Sequence, residues 1–246
     1  MKKILICILC FASVQGFAQI RLGVQGGSSV ANFWQTDGFT GLPTNLSTSP
    51  IGGFHAGILA ELDLNSFMVL QPALQYCETG SHIQNIAGFV DPPGFDIDYS
   101  NSTLRVYSLR LPVNLLVKAR VNSNVKVLFG LGPYLSKSLS GTEKGYYTGD
   151  SLLSNGGYLA ETKTIDNKVK ISSALSNATA GISNVSSLDV GGDILAGVDY
   201  KKFELTINYS RGLTRFYRTT YANCGNTIWN FSLAYMIFGH NRKPAL

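Results

Sequence analysis

Charge is scarce in this chain. Aspartate, glutamate, lysine and arginine make up 14% of its 246 residues, against roughly 25% in an ordinary soluble domain. Aromatics nevertheless reach 11%, which excludes a disordered, highly charged polymer. The formal charge of +5 comes with no cluster of Lys and Arg, so the nucleic-acid-binding class is excluded too. Histidine is rarer still, with His55, His82 and His240 alone. No ligand spacing suitable for a metal accompanies them, and no nucleophile, base and orienting group occur in a motif context. No enzyme activity, cofactor or metal is therefore expected. Long apolar runs are also missing: after Ala18 nothing approaches the 18 consecutive apolar residues that would mark a membrane-spanning helix.

The first 18 residues read as a segment apart. Lys2 and Lys3 form a positive start, Ile4 to Val14 is a short apolar run, and Gly16-Phe17-Ala18 carries small residues at the positions a signal peptidase reads. A membrane anchor is the alternative, but the run falls short of the ~20 residues a bilayer requires. Cleavage after Ala18 leaves 228 of the 246 residues and 18 of the 20 basic residues against 15 acidic ones. It also leaves two of the four cysteines, Cys77 and Cys224, in an oxidising compartment. A disulfide between them across the mouth of the fold and a pair of free thiols are both open.

What the rest of the chain has in abundance is alternation of period two. Phe203, Leu205, Ile207 and Tyr209 fall on one face of an extended segment, and Glu204, Thr206, Asn208 and Ser210 on the other. A helix would mix the two sets. The same pattern recurs in seven other segments, which begin at Ile20, Phe54, Met68, Tyr107, Val125, Leu188 and Trp229. Eight strands result. Their connections alternate between short ones (Asp63 to Ser66, Arg120 to Asn124, and Lys201-Lys202) and long ones (Trp34 to Pro50, Ser81 to Ser102, Ser140 to Ser187, and Leu213 to Thr227). Residues 140–187 exceed a bare connection, so their strands are expected to continue outward or the segment to be partly unstructured.

Short turns at one end and long loops at the other predict an all-β fold, an eight-stranded antiparallel up-and-down transmembrane barrel in the outer membrane. Closure matters because backbone groups facing lipid have no water to bond, and a ring leaves no open edge. Residues 19–238 are assigned to the barrel, with 1–18 as signal and 239–246 as a short tail. Both ends of the chain are expected on the periplasmic side. Tyr76, Tyr107, Phe129, Tyr200, Phe203, Tyr209, Trp229 and Tyr235 are candidates for the interfacial aromatic girdles. A soluble, lipocalin-like binding protein shows the same alternation and is the alternative.

The polar face of the strands carries Arg21, Glu61, Arg110, Lys118, Lys126, Asp193, Asp199 and Glu204. Eight strands enclose a bore only wide enough for side chains. These charges are therefore expected to pair into a structural plug, with a narrow polar channel as the sharper alternative. The expected partners are outer-membrane lipid, the barrel-assembly machinery during biogenesis, and an unidentified ligand or protein at the loops.

Several stretches resemble a known family. Gly53-Phe54-His55-Ala56-Gly57 followed by Leu70-Gln71-Pro72-Ala73-Leu74-Gln75-Tyr76 is similar to a hairpin of the Bacteroidota outer-membrane β-barrel proteins, the PorT-like or porin family. Leu111-Pro112-Val113-Asn114-Leu115, Gly130-Leu131-Gly132-Pro133-Tyr134 and Tyr209-Ser210-Arg211-Gly212-Leu213-Thr214 follow in the family's order. The resemblance implies the fold and the outer membrane, and either a non-enzymatic envelope role or an accessory part in protein secretion or gliding. It brings no catalytic residues. The chain departs from the family at Ala73, where an acidic residue is usual, and at Gly239 to Leu246, which follow the final aromatic Phe238. Asp150-Ser151-Leu152 is similar to the short O-glycosylation pattern of exported Bacteroidota proteins.

Overall fold

The computed structural model describes residues 20–38, 44–91, 94–152, 158–172, 184–218 and 222–238. The segments assigned to a signal and a tail lie outside these, as does His240. Thirteen strands are present among the described residues: β1 (Ile20–Gly38), β2 (Thr44–Ser49), β3 (Ile51–Asp63), β4 (Met68–Asp91), β5 (Gly94–Arg120), β6 (Val125–Leu152), β7 (Tyr158–Lys168), β8 (Lys170–Ser172), β9 (Asn184–Ser186), β10 (Leu188–Tyr200), β11 (Phe203–Gly212), β12 (Tyr217–Arg218) and β13 (Ala222–Phe238).

Eight of them close a ring in the order β1-β3-β4-β5-β6-β10-β11-β13, and β1 returns to β13 through antiparallel pairs from Leu22↔Phe238 to Gly38↔Ala222. Every pairing within the ring is antiparallel. The fold class expected from the alternation is the one found.

The three short turns are specified locally. Asn65 Oδ1 accepts hydrogen bonds from the backbone N–H of Phe67 at 3.0 Å and of Met68 at 2.7 Å. Asn122 Oδ1 does the same for Asn124 and Val125, both at 2.9 Å. In each turn the side-chain oxygen replaces a backbone acceptor and tightens the bend. Between β10 and β11, Lys201 takes φ 57°, the left-handed conformation that a two-residue hairpin needs.

The wall is apolar outside and polar inside through its lower part. Ile58, Phe129, Leu131, Ile194 and Leu205 are each more than half exposed, while Glu61, Arg110, Asp193 and Glu204 are almost completely buried. This is the inverse of a soluble protein, and it is what lipid around the wall requires.

Higher up, the polarity inverts. On β5, even-numbered residues point inward throughout: Ser108 and Arg110 low in the wall, then Leu104 and Val106 above them. Their outward neighbours change in the opposite sense, from apolar Leu109 and Leu111 to polar Thr103 and Arg105. Gly80 marks the same level on β4, with φ 151° and a backbone approach so close that an added Cβ would lie 2.0 Å from the Leu104 carbonyl oxygen. Above it, β4 and β5 run on as a paired ribbon to Asp91↔Gly94.

The segment read as a long loop from Ser81 to Ser102 is therefore mostly a hairpin extension of two ring strands. Residues 140–187 likewise contain the outer half of β6 with its partner β7, paired from Thr142↔Lys168 to Leu152↔Tyr158. A register shift at the Tyr107/Ser108 pairs leaves Leu139 of β6 without a partner on β5, and beyond this bulge the inward parity of β6 changes from Ser136 and Ser138 to Gly141 and Glu143. Phe33, Ile83, Leu104, Val106, Val169, Val185, Phe216, Tyr217 and Cys224 form a buried apolar core inside this extension.

Candidate functional site: the charged bore and its cap

The lower bore is crossed by one ionic network built from six ring strands. The Lys118 ammonium (β5) lies 2.6 Å from Glu61 Oε1 (β3), 3.1 Å from Glu204 Oε2 (β11) and 3.2 Å from Asp199 Oδ2 (β10). Arg21 (β1) pairs with the other Glu61 oxygen and lies 3.1 Å from Asp199. Gln71 (β4) donates from Nε2 to Glu204 at 2.8 Å and to Glu61 at 3.1 Å. Each of these side chains is buried. The chain folds this way because the period of two puts all six on the inward face, and antiparallel register brings them to one level: Arg21 sits opposite Glu61, and Asp199 opposite Glu204.

A second network lies above the first. Arg110 (β5) pairs with Asp193 (β10), donates to Ser210 Oγ (β11) at 2.6 Å, and stacks over the Tyr134 ring at 4.0 Å. The Tyr134 hydroxyl donates to Asp189 at 2.9 Å. Between the two networks is a cavity of about 30 Å³, lined by Gln25, Gln71, Arg110, Asn114, Asp193 and Glu204 among others. Gln25 Nε2, Arg110 Nε and Asn114 Oδ1 are buried without a protein partner. A polar cavity of this size holds one or two water molecules, which such groups require.

Seven of the eight inward charges named from the sequence thus fall into these two networks. Lys126 does not: it is half-buried at the lower rim, opposite Asp199 and Arg120 in register, and forms none of the ion pairs found among the described residues.

Other lining residues are uncharged: Leu59, Ala73 and Ala234 fall on the polar face of the sequence alternation, and the others were hidden in it. Val69, Leu116, Leu128 and Leu195 form one apolar patch on the inner wall, and Leu59, Ala73, Ala234 and Met236 another. Leu116 and Leu128 lie in uninterrupted apolar runs, Leu115-Leu116-Val117 and Val127-Leu128-Phe129, where hydropathy gives no phase. Only the register of neighbouring charges, Lys118 two residues after Leu116 and Lys126 two before Leu128, identifies the inward members.

His55 and Ser232 meet inside the bore, with Nε2 and Oγ 2.8 Å apart. His55 Nδ1 has no partner, and both residues are buried. The pair lacks the orienting acid and the access of a hydrolytic site. His82 lies in the extension, with Nδ1 3.0 Å from Thr103 Oγ1. No group of three His, Cys, Asp or Glu side chains that could hold a metal occurs among the described residues.

The two cysteines lie in different parts of the fold, not bonded to each other. Cys77 is buried in β4 with Sγ 3.2 Å from Ser108 Oγ. Cys224 belongs to strand β13, not to a loop, and is fully buried in the apolar core of the extension. That burial pushes its thiol from an ordinary 9.0 up to about 11.

The aromatics fall into two levels. Tyr76 stacks on Tyr107 at 6.1 Å and Tyr209 packs on Trp229 at 4.9 Å near the extension. Phe203 packs on Tyr235 at 5.2 Å near the short turns, where Lys201 caps Tyr200. Phe129 departs from the girdle reading: it lies four residues inside β6, within the apolar band.

No curated protein matches the sequence. Among solved structures, similar folds include Neisserial surface protein A (16% identity, 88% of this chain and 97% of that one, TM-score 0.40). OprG from Pseudomonas aeruginosa matches at 10% identity over 90% of this chain and 97% of its own, with TM-score 0.33. The outer membrane protease OmpT from Escherichia coli matches at 10% identity over 89% and 97%, with TM-score 0.38. Matches at these identities and scores carry nothing about activity or ligands. The family assignment comes from the sequence itself, through a family model that aligns with residues 15–218. The chain belongs to the outer membrane protein β-barrel domain family, and its closed eight-strand ring places it in the outer membrane.

Proposed function

We propose that this protein is a non-conducting, non-enzymatic barrel whose work is done by the structured extension beyond the membrane, where it engages an external ligand or protein. The observation that carries this reading is the Lys118 network. One ammonium contacts three carboxylates from three strands, and Arg21 and Gln71 bring two further strands into the network. The cavity above it has room for water alone. The apolar core of the extension supports the second half of the reading, since a core of nine buried residues holds a surface in place rather than leaving it as loops.

Short turns face the periplasm and the extension faces outward, by the general rule for such barrels. Export by a signal cleaved after Ala18, insertion by the barrel-assembly machinery and a Bacteroidota envelope as the setting belong to the same proposal, and rest on the sequence motifs. Cleavage there puts the new N-terminus at Gln19, one residue before β1.

Planar-bilayer recording of the detergent-refolded protein tests the closed bore. The expected result is a flat baseline at all voltages. A steady, reproducible conductance step would overturn it.

A further inference from the structure

On the outer wall, β1, β13 and β11 share a cleft of about 380 Å³ that the closed-bore reading does not use. Its lining includes Val30, Trp34, Tyr209, Arg211, Thr227 and Trp229. The three strands are neighbours, and their register stacks these residues in rows: Val30 and Tyr209 flank Trp229, and above them Asn32 and Arg211 flank Thr227. The lower row is apolar and aromatic, and the upper row is polar. The cleft therefore sits where the lipid-facing band ends, at the level of the outer headgroups.

Trp34, one step higher, is held flat. It lies opposite Gly225 in register, and a Cβ on Gly225 would stand 2.5 Å from the indole Nε1. Only glycine lets the ring lie down on the strand. The Arg211 guanidinium covers the ring at 4.1 Å from its centroid. Arg211 is exposed and forms none of the ion pairs found among the described residues. Arg105 on β5, also outside the wall, offers the contrast, since it is paired with Glu78. A guanidinium fixed on an indole, unpaired, at headgroup depth above an apolar cleft has the donor geometry for a phosphate and the surface for the acyl chain below it.

We propose that this cleft binds a phosphate-bearing lipid of the outer leaflet, with its phosphate on Arg211 and its chain against Val30, Tyr209 and Trp229. The inference rests on the barrel's place in the membrane and is independent of whether the bore conducts.

The chain has two tryptophans, Trp34 and Trp229, and both line the cleft, so intrinsic fluorescence reports on it directly. The protein is reconstituted in phosphatidylcholine vesicles carrying a minor fraction of brominated-chain phosphatidic acid or, in parallel, brominated-chain phosphatidylcholine. The anionic lipid should quench roughly two- to fivefold more effectively, the strength of one exposed charge pair. Arg211→Gln should bring the ratio to one, Arg211→Lys should keep only part of it because the charge stays but the stacked fork is lost, and Lys137→Gln, exposed on β6 outside the cleft, should leave it unchanged. Equal quenching in the unaltered protein would overturn the proposal, a result that needs no variant to fold. Equal losses in Arg211→Gln and Lys137→Gln would also overturn it, by showing diffuse surface charge. Inorganic phosphate titrated against sodium chloride at matched ionic strength separates the sources: the chain contacts should let the lipid persist with at most partial relief, and complete relief by phosphate would assign the site to the free anion and sink the lipid assignment.

Discussion

Lys118 reaches Glu204 at 3.1 Å across the bore, although β5 and β11 are separated in the ring by β6 and β10. The same ammonium holds Glu61 and Asp199, so its loss leaves three buried carboxylates, of which Arg21 still pairs with Glu61 and Asp199 while Glu204 keeps only the Gln71 amide. Breaking a buried pair by removing one charge costs about 3–5 kcal/mol. Lys118→Met should lower barrel stability by that amount in denaturant unfolding followed by heat-modifiable gel migration. Glu204→Gln should cost far less, because Gln71 still has an amide oxygen to bond. Combining the two should recover part of the loss, since the uncompensated negative charge falls by one. Additive costs in that double-mutant cycle would show that the two residues do not interact.

A second prediction concerns the inner-wall patch. Leu116 is completely buried with Val69, Leu128 and Leu195. Truncation there removes contacts inside a packed lumen and leaves a cavity, which costs about 2–5 kcal/mol for Leu→Ala. Leu115→Ala, by contrast, lies on the opposite face of the same strand and exchanges side chain for lipid. Denaturant midpoints in one detergent should separate the two variants clearly. Equal effects would place Leu116 outside the lumen.

These residues also show why the sequence was legible in parts. The ring was readable because charge and apolarity alternate strictly in stretches such as Phe203 to Ser210, where inward and outward residues differ in kind. Arg21, Glu61, Lys118, Asp199 and Glu204 announced themselves for the same reason. Leu116 and Leu128 did not, because both faces of those stretches are apolar. The extension was hidden by a different cause. On β5 the apolar set moves from odd positions (Leu109, Leu111) to even ones (Leu104, Val106), as the solvent outside the wall changes from lipid to water. A reading that keeps one apolar face ends the strand at Tyr107 and takes the remainder for loop. That Arg211 forms none of the ion pairs among the described residues was out of reach as well, since it depends on which carboxylates the register leaves distant.

The extension's core can be tested separately from the barrel. Phe33 stacks on Tyr217 at 5.5 Å and tilts against Phe216 at 5.7 Å. Phe33→Ala should cost about 3–5 kcal/mol within this core. The lumen networks share none of its residues, so the loss should appear as faster proteolytic cleavage within β4, β5 and β6 above Gly80, with heat-modifiable migration of the barrel preserved. Loss of both together would show that extension and barrel fold as one unit.

The thiol of Cys224 gives a pH dependence with a defined sign. Its folded value is raised from 9.0 to about 11 by burial among Phe33, Val185 and Phe216. The folded state thus prefers the protonated thiol. Below pH 9 both states are protonated and the contribution to stability is intact. As pH rises from 9 toward 11 the unfolded chain releases its proton first, and stability falls by up to about 3 kcal/mol, at ~1.4 kcal/mol per pH unit. Cys224→Ala should remove that part of the slope, and Cys77→Ala should leave it in place. In the folded protein at neutral pH, Cys224 should resist alkylation; in denaturant without reductant, both thiols should take up reagent, giving a mass increase of two adducts. A mass short by two hydrogens and no adduct would show instead that Cys77 and Cys224 are joined, and the slope above pH 9 would then be absent.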